Sequence, residues 1–181
     1  EEFFRICGFV KNTRTESLEA YEPFYRTLYA DYEEAKREHH LLDFDDMLTL
    51  ALQILETEPD WLARLRARFP YVQLDEGQDT SRVQMDLLRM IAAPSNHFFV
   101  LADDDQSIYG FRGADAHALL RFGEWYDNPA YYYLEENYRS APGIVESASR
   151  VIAKNTMRFA KTPRAVNAPR GPVVHKIVPN L

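Results

Sequence analysis

The sequence predicts an α/β fold with a parallel β-sheet and a functional site at the carboxyl ends of its strands. Three short β-type runs, at residues 71–74, 98–101 and 131–134, are each followed by a polar loop and then by a helical pattern. Alternation of strands and helices is typical of parallel sheets, in which the strand ends lie side by side along one edge. Polar side chains that follow these three strands are therefore expected to converge.

The length and composition of the chain are those of a folded protein with a hydrophobic core. The chain has 181 residues, of which 46% are hydrophobic and 13% aromatic, enough for one domain or for a domain with part of a neighbour. Its one cysteine, Cys7, excludes an internal disulfide and fits a cytoplasmic location. No apolar run approaches the roughly 18 residues of a membrane span. The first residue is Glu1, so we interpret the chain as a processed or excised piece.

The net charge of −7 is unevenly distributed. From Arg139 to the end there are eight Lys or Arg residues and one acid, Glu146, so an acidic body carries a basic C-terminal arm. Such an arm suggests an electrostatic contact, with nucleic acid as one candidate partner. A solvated linker helix is the alternative explanation, and on charge alone it is the better one.

The first part of the chain is predicted to be helical. Residues 1–16 hold the end of a helix and a polar loop from Lys11 to Glu16, and residues 17–38 form a long helix with a packed tyrosine stripe. Asp43 is suited to cap the next helix, and Asp45 and Asp46 suit its positive end. A metal site is the alternative interpretation of these acids. A third helix follows at 60–69.

In the second part, predicted strands alternate with predicted helices. Helices are expected at 81–91, 114–122 and 142–155, the last capped by Ser140, and a basic connector at 156–172 precedes a final strand at 173–178.

The central feature is the adjacent pair Asp75 and Glu76, which directly follows the first predicted strand. A strand that ends in Asp-Glu before a helix has the shape of a Walker B element, in which one acid holds Mg²⁺ and its neighbour orients the attacking water. A solvated acidic turn is the commoner explanation of two such acids taken alone.

Two further polar clusters follow the other strands. Asp105 and Gln106 follow the second, and Tyr138 and Arg139 follow the third. Acids, an amide and an arginine together are the groups that phosphoryl transfer needs. Tyr109 and Phe111, next to Arg112, could stack on unpaired bases, although core packing explains the two rings equally well. The glycines at 110 and 113 also give a weak match to an RNA-binding GxxG loop.

Three segments in this order resemble motifs II, III and IV of the UvrD/Rep-like superfamily-one DNA helicases. The segments are Leu74-Asp-Glu-Gly-Gln-Asp79, Asp103-Asp-Asp-Gln-Ser-Ile-Tyr-Gly-Phe-Arg-Gly-Ala-Asp115 and Leu134-Glu-Glu-Asn-Tyr-Arg-Ser140. Residues 42–48 are also similar to a segment that these helicases carry upstream of motif II. The resemblance covers residues 18–181 and implies part of a RecA-like, P-loop NTPase motor domain, preceded by a helical insertion segment.

The resemblance also implies a domain organisation. Residues 1–69 would be part of the insertion and its return into the first motor domain, and residues 70–140 would be the ATP-binding portion. Residues 141–172 would form a helix and basic connector, and residues 173–181 would begin the second motor domain. The family moves 3′ to 5′ on single-stranded DNA and acts at duplex junctions, with ATP and Mg²⁺ as its cofactors.

Roles for individual residues follow from the same resemblance. Asp75 would bind Mg²⁺, Glu76 would be the catalytic base, and Gln106 would sense the γ-phosphate. Arg139 would contact that phosphate in the transition state, and Tyr138 would lie against the adenine. Phe111 would stack on a DNA base, at a position where relatives often carry tryptophan. Tyr109 and Arg112 would connect that contact to the ATP site.

The chain departs from the family in one major respect. No Gly-x-x-x-x-Gly-Lys-Ser/Thr loop occurs in these 181 residues, and motifs Ia, V and VI are also absent. Ala102 stands where relatives usually have glycine. Two interpretations follow: part of an ATP-dependent helicase that is inactive alone, or a truncated, non-catalytic module that binds DNA or a partner. A helicase with an attached nuclease is a third, for which the sequence holds no nuclease motif.

Overall fold

The computed structural model describes residues 1–14, 18–169, 171, 173 and 174, without the side chains of Arg112 and Ala116. The chain divides into two compact units, Glu1–Asp127 and Asn128–Leu181. Helices and small parallel sheets make it an α/β protein, as the sequence predicts. No helix in the described part has the length and apolarity needed to cross a membrane.

The first unit contains seven α-helices, four short 3-10 turns and one small sheet among its described residues. The helices are α1 (Glu2–Thr13), α2 (Pro23–Glu38), α3 (Phe44–Thr57), α4 (Pro59–Arg68), α5 (Arg82–Ala92), α6 (Ala116–Leu120) and α7 (Phe122–Trp125). The strands β1 (Val72–Leu74) and β2 (Phe98–Val100) pair in parallel, with Val72 opposite Phe98 and Leu74 opposite Val100. Both strands confirm the sequence prediction, and their carboxyl ends lie next to each other.

The core of this unit lies where α1, α3 and α5 pack together. Its centre is α5, on which Val83 and Met85 are fully buried. The helices α1 and α3, which pack on α5, also bury apolar residues: Ile6, Cys7, Leu52 and Leu55. Burial raises the pKa of the Cys7 thiol to about 11, so Cys7 packs as a neutral, apolar side chain.

Two helices in the described residues start with capping boxes, in which two side chains cap the helix reciprocally. In α3, Asp43 accepts a hydrogen bond from the Asp46 N–H, and the Asp46 side chain accepts one from the Asp43 N–H. In α5, Ser81 and Gln84 form the same reciprocal arrangement. These capping boxes satisfy backbone N–H groups that the first helical turn leaves without partners. The predicted cap at Asp43 is therefore confirmed.

A buried ion cluster joins α1, α2 and α3. The ammonium group of Lys11 lies 2.6 Å from an Asp46 oxygen and 3.0 Å from an Asp43 oxygen. Lys36 lies 2.6 Å and 2.9 Å from the same two carboxylates, and Glu33 contacts both lysines. The prediction that Lys11 lies in a polar loop is wrong, because α1 continues to Thr13 and carries Lys11 into this cluster.

The contacts in this cluster show whether the acids at the start of α3 form a metal site or serve in capping and ion pairing. Burial alone would raise the pKa of Asp46, but hydrogen bonds from Lys11 and Lys36 lower it. Burial also opposes ionisation of Asp43, whose pKa is nevertheless lowered by the Asp46 N–H and by the two lysines. Glu33, Asp43 and Asp46 are close enough to hold a metal ion. Two ammonium groups already supply the positive charge there, so capping and ion pairing account for these acids.

The second unit differs most from the sequence prediction. Residues 131–134 are predicted to form a strand, but they have no regular structure, and Tyr132 and Leu134 are almost fully exposed. A strand needs a partner for its backbone, and the pairing occurs further along the chain. β3 (Glu136–Asn137) pairs in parallel with β4 (Arg164–Ala165), inside the predicted connector.

Other boundaries of the predicted elements also shift. The predicted helix at 17–38 is a short 3-10 turn, Leu18–Ala20, followed by α2, because Pro23 fits only the first turn of a helix. Ala141, and not Ser140, caps α8 (Pro142–Ile152). In the predicted strand at 173–178, Val173 and Val174 are exposed and outside any strand, and residues 175–178 lie outside the described part.

Removal of Lys36 should destabilise the first unit strongly. Lys36→Met keeps most of the side-chain volume but leaves Asp46 without one of its two ammonium partners, and breaking a buried pair costs about 3–5 kcal/mol. Urea unfolding of the chain, followed by the fluorescence of Trp61 and Trp125, measures the change. The matched control is Arg37→Met, which removes an exposed pair with Glu34 and should cost less than about 1 kcal/mol. Equal effects of both substitutions would contradict a structural role for the cluster.

Candidate functional site

The loop that follows β1 presents two exposed carboxylates. Asp75 and Glu76 both lie on the surface, and the Glu76 N–H donates a hydrogen bond of 2.9 Å to Asp75 Oδ1. Glu76 has a φ of 53° and a ψ of 42°, a left-handed conformation that costs a non-glycine residue about 1–2 kcal/mol. This backbone turns sharply enough to place two successive acids at one strand end.

Gly77 allows this loop to lie directly against the end of β2. Its N–H donates to the Leu101 carbonyl at 2.9 Å. A Cβ atom at this position would lie 2.7 Å from Val100 Cγ1 and 3.3 Å from the Leu101 oxygen, too close for a stable contact. Glycine is therefore required for packing between the two loops, and the hydrogen bond fixes the residue next to Glu76.

Gln78 connects the two loops from inside the protein. Its side chain is 1% exposed. The amide nitrogen donates to Glu76 Oε2 at 2.7 Å, and the amide oxygen accepts from the Asp103 N–H at 3.0 Å. Sequence reasoning missed this residue, because only its position between two polar loops distinguishes it from any other glutamine.

The loop that follows β2 carries the second polar cluster. Asp103 Oδ1 accepts from the Asp105 N–H at 3.2 Å, and Asp103 Oδ2 accepts from the Gln106 amide at 2.7 Å. Gln106 is exposed and lies in a short 3-10 turn, Asp104–Gln106. Together with the bonds of Gln78, these contacts form a continuous hydrogen-bonded path from Glu76 to Gln106.

Carboxylates at this edge have the chemistry of a site for a hard cation. Oxygen atoms of Asp103, Asp104 and Asp105 lie within 4.8 Å of one another, and Asp75 follows the neighbouring strand. Mg²⁺ prefers oxygen ligands of this kind. These three acids therefore have the chemistry to hold Mg²⁺, whereas the acid that the sequence predicts for the ion, Asp75, is not one of the three.

Tyr109 and Phe111 form a separate aromatic surface. Their ring centroids lie 5.9 Å apart, and the side chains are 38% and 54% exposed, so the interpretation as core packing does not hold in this unit. Phe111 lines an open pocket of about 860 Å³ beside α1 and α3. The side chain of Arg112 lies outside the described part of the structure.

The charge of this pocket is negative. Its ionisable lining residues are Glu1, Glu2, Asp45, Asp79 and Arg5. One guanidinium among four carboxylates does not attract a phosphate backbone, which binds where lysines and arginines predominate. The pocket therefore offers aromatic surface but no electrostatic attraction for phosphate groups.

Tyr138 and Arg139 belong to the second unit and follow β3. Both side chains are exposed. Asn137 Oδ1 accepts hydrogen bonds from the backbone N–H groups of Arg139 and Ser140, at 3.1 Å and 2.8 Å, and this fixes the turn. The Tyr138 hydroxyl hydrogen-bonds to Glu136, which raises the pKa of the phenol.

The first unit thus brings Asp75, Glu76 and Gln106 to one sheet edge and connects all three by hydrogen bonds. Exposed acids on a rigid backbone can orient water and hold a metal ion, and an exposed amide can bind an anionic oxygen.

Comparisons with known proteins find relatives across most of the chain. Residues 9–127 match the UvrD/REP helicase N-terminal domain. The YjcD protein of Bacillus subtilis (strain 168) is 40% identical over 154 residues, which is 85% of this chain and 20% of that protein. ATP-dependent DNA helicase PcrA of Leuconostoc citreum is 33% identical over 166 residues, which is 86% of this chain and 22% of that protein. The chain spans about a fifth of the length of these relatives.

The requirement for glycine at position 77 can be tested. Gly77→Ala places a methyl group against Val100 and Leu101, and overpacking of this kind costs about 1–3 kcal/mol. The expected result is a lower urea midpoint. Gly110→Ala is the matched control, since a Cβ there meets no atom within 4 Å. A Gly77→Ala protein as stable as Gly110→Ala would contradict the close approach of the two loops.

Proposed function

The chain belongs to the UvrD/REP helicase family, and we propose that it forms part of the motor of an ATP-dependent DNA helicase that moves 3′ to 5′ along single-stranded DNA. The observation that carries the proposal is the hydrogen-bonded path from Glu76 to Gln106 at the carboxyl ends of two parallel strands. A nucleotide hydrolase needs a base for water and a sensor for phosphate in fixed relation. In this proposal residues 70–140 are part of a RecA-like motor domain, and the protein acts in the cytoplasm.

Asp75 is the proposed residue for Mg²⁺, and the oxygen donors at this edge fit that ion. Asp75 would hold Mg²⁺, which would supply positive charge against the phosphates of ATP. Asp75 is suited to bind it because it directly follows β1 and its carboxylate is exposed. Its own hydrogen bond from the Glu76 N–H orients the carboxylate.

Glu76 is the proposed general base. A base must be ionised, must reach water and must be held in one orientation. Glu76 is exposed, and its carboxylate is fixed by the amide of Gln78 at 2.7 Å. Gln106, at the other end of the path, is the proposed sensor of the γ-phosphate, where its amide N–H can donate to an anionic oxygen.

In the second unit, Arg139 is the proposed residue for the transferring phosphoryl group, and Tyr138 is the proposed residue for the adenine. A guanidinium stabilises charge that develops on the transferring phosphoryl group, and an exposed phenol ring can stack on adenine. The turn at Asn137 supports the role of Arg139, because Asn137 Oδ1 accepts hydrogen bonds from the backbone N–H groups of Arg139 and Ser140.

Phe111 is the proposed stacking platform for a base of single-stranded DNA, and Tyr109 and Arg112 connect this platform to the site. The exposed ring pair supports stacking, which is worth about 1–3 kcal/mol per base. The surrounding acids oppose phosphate binding in the first unit, so the electrostatic part of DNA affinity is assigned to other segments of the full-length protein. Duplex junctions are the proposed substrate.

A second candidate function is a non-catalytic module that binds DNA or a partner protein. The exposed rings of Tyr109 and Phe111 favour it. What separates the two candidates is whether the full-length protein carries a phosphate-cradling Gly-x-x-x-x-Gly-Lys-Ser/Thr loop. Such a loop in the full reading frame would favour the motor, and its absence there would favour the module.

Substitution of Glu76 tests the proposed chemistry in the full-length protein. Glu76→Gln removes the base and keeps the shape, so ATP hydrolysis should fall by about 10²–10⁴-fold while Mg²⁺-dependent ATP binding is retained. Asp75→Ala should instead weaken that binding. Steady-state phosphate release and nucleotide titration measure the two effects. Turnover of Glu76→Gln close to that of the unmodified protein would rule out Glu76 as the base.

The isolated 181-residue chain should not hydrolyse ATP. Without a loop of backbone N–H groups and a lysine, the carboxylates of Asp75 and Glu76 would face the phosphates with only Mg²⁺ between them. A malachite-green phosphate assay, with and without single-stranded DNA, measures the activity. The Glu76→Gln chain controls for contaminating enzymes. Hydrolysis that disappears in this control would show a working site and contradict the expectation.

A further inference from the structure

Gln78 is the most deeply buried polar side chain in the described part of the chain that touches the candidate site. It is 1% exposed, whereas Glu76, to which it donates, is on the surface. Burial of a polar amide is unfavourable unless its donor and acceptor are both used. Here the nitrogen donates to Glu76 and the oxygen accepts from the Asp103 N–H.

The two partners of Gln78 lie on different loops. Glu76 follows β1, and Asp103 follows β2. Asp103 in turn accepts from the Gln106 amide at 2.7 Å, and the Gln78 carbonyl accepts from the Ser107 hydroxyl at 3.4 Å. Gln78 therefore contacts the second loop through its side chain and its backbone, and a shift of either loop would break a buried hydrogen bond.

We propose that Gln78 is a positioning residue for hydrolysis, which holds the Glu76 carboxylate in register with the Gln106 loop. This inference rests on the proposed function, in which Glu76 is the base and Gln106 the phosphate sensor. Gln78 itself touches neither water nor nucleotide in this mechanism and acts through Glu76.

The physical reason is the exposure of Glu76. An exposed glutamate has three rotatable side-chain bonds, and solvent alone fixes none of them. The amide of Gln78 holds Oε2 at one point, so the second oxygen is left in a defined direction for a water molecule. Misplacement of a catalytic group by about 1 Å can cost about 100-fold in rate.

The test uses the full-length protein and two substitutions. Gln78→Met has similar length and no hydrogen-bonding amide, and it should lower kcat by about 10- to 100-fold while the KM for ATP stays within about twofold of the unmodified value. Gln78→Glu is the second variant: it keeps an acceptor for the Asp103 N–H and removes the donor to Glu76, so it should lower kcat as well. Gln53→Met, on the exposed face of α3, is the matched control and should leave both parameters unchanged.

A double-mutant cycle separates positioning from a merely structural role. If Gln78 acts through Glu76, adding Gln78→Met to Glu76→Gln should lower kcat little further, since the base is already lost. Losses that multiply, or a KM that rises together with a fall in melting temperature, would overturn the inference. An unchanged kcat in both Gln78 variants, with Glu76→Gln inactive, would also overturn it and leave the proposed function intact. An active Glu76→Gln protein would instead refute the proposed function.

Discussion

The close approach of the loops that follow β1 and β2 is the constraint on which the candidate site depends. Gly77 lies where any side chain would meet Val100, and its N–H bonds to the Leu101 carbonyl. The same contact fixes the left-handed backbone at Glu76, whose cost must be offset by neighbouring bonds. The exposed acids are thus oriented by buried groups that carry no charge.

The ion cluster between α1, α2 and α3 also helps to hold the helices behind the candidate site in position. It buries two lysines against Glu33, Asp43 and Asp46. Ion pairs of this kind add little net stability compared with apolar packing, but they require one geometry, because a shifted helix would leave a buried charge without a partner. Since α3 and α1 both pack on α5, and α5 begins just beyond the Gly77 turn, the cluster fixes the framework behind the site.

Much of the first unit could be predicted from the sequence, because its signals are local. Apolar periodicity gives α3 and α5, Asp43 caps α3, and the short β-type runs give β1 and β2. The buried lysines and Gln78 could not be predicted, since their roles depend on residues far along the chain. The strand prediction for 131–134 is wrong for a related reason. Three tyrosines favour a strand locally, but no pairing partner lies beside them in the described residues. The roles of the site residues stay predictions.

Aromatic surface and positive charge are separated along this chain, and this limits how the first unit could contact DNA. Phe111 and Tyr109 present rings beside mostly acidic groups, whereas the excess of basic residues begins at Arg139. Stacking on an uncharged ring depends little on salt, but phosphate contacts weaken as the salt concentration rises. In the proposed motor, each base must be released as the protein moves. A base stacked on Phe111 could be released without redistribution of counterions, unlike a phosphate bound by basic residues.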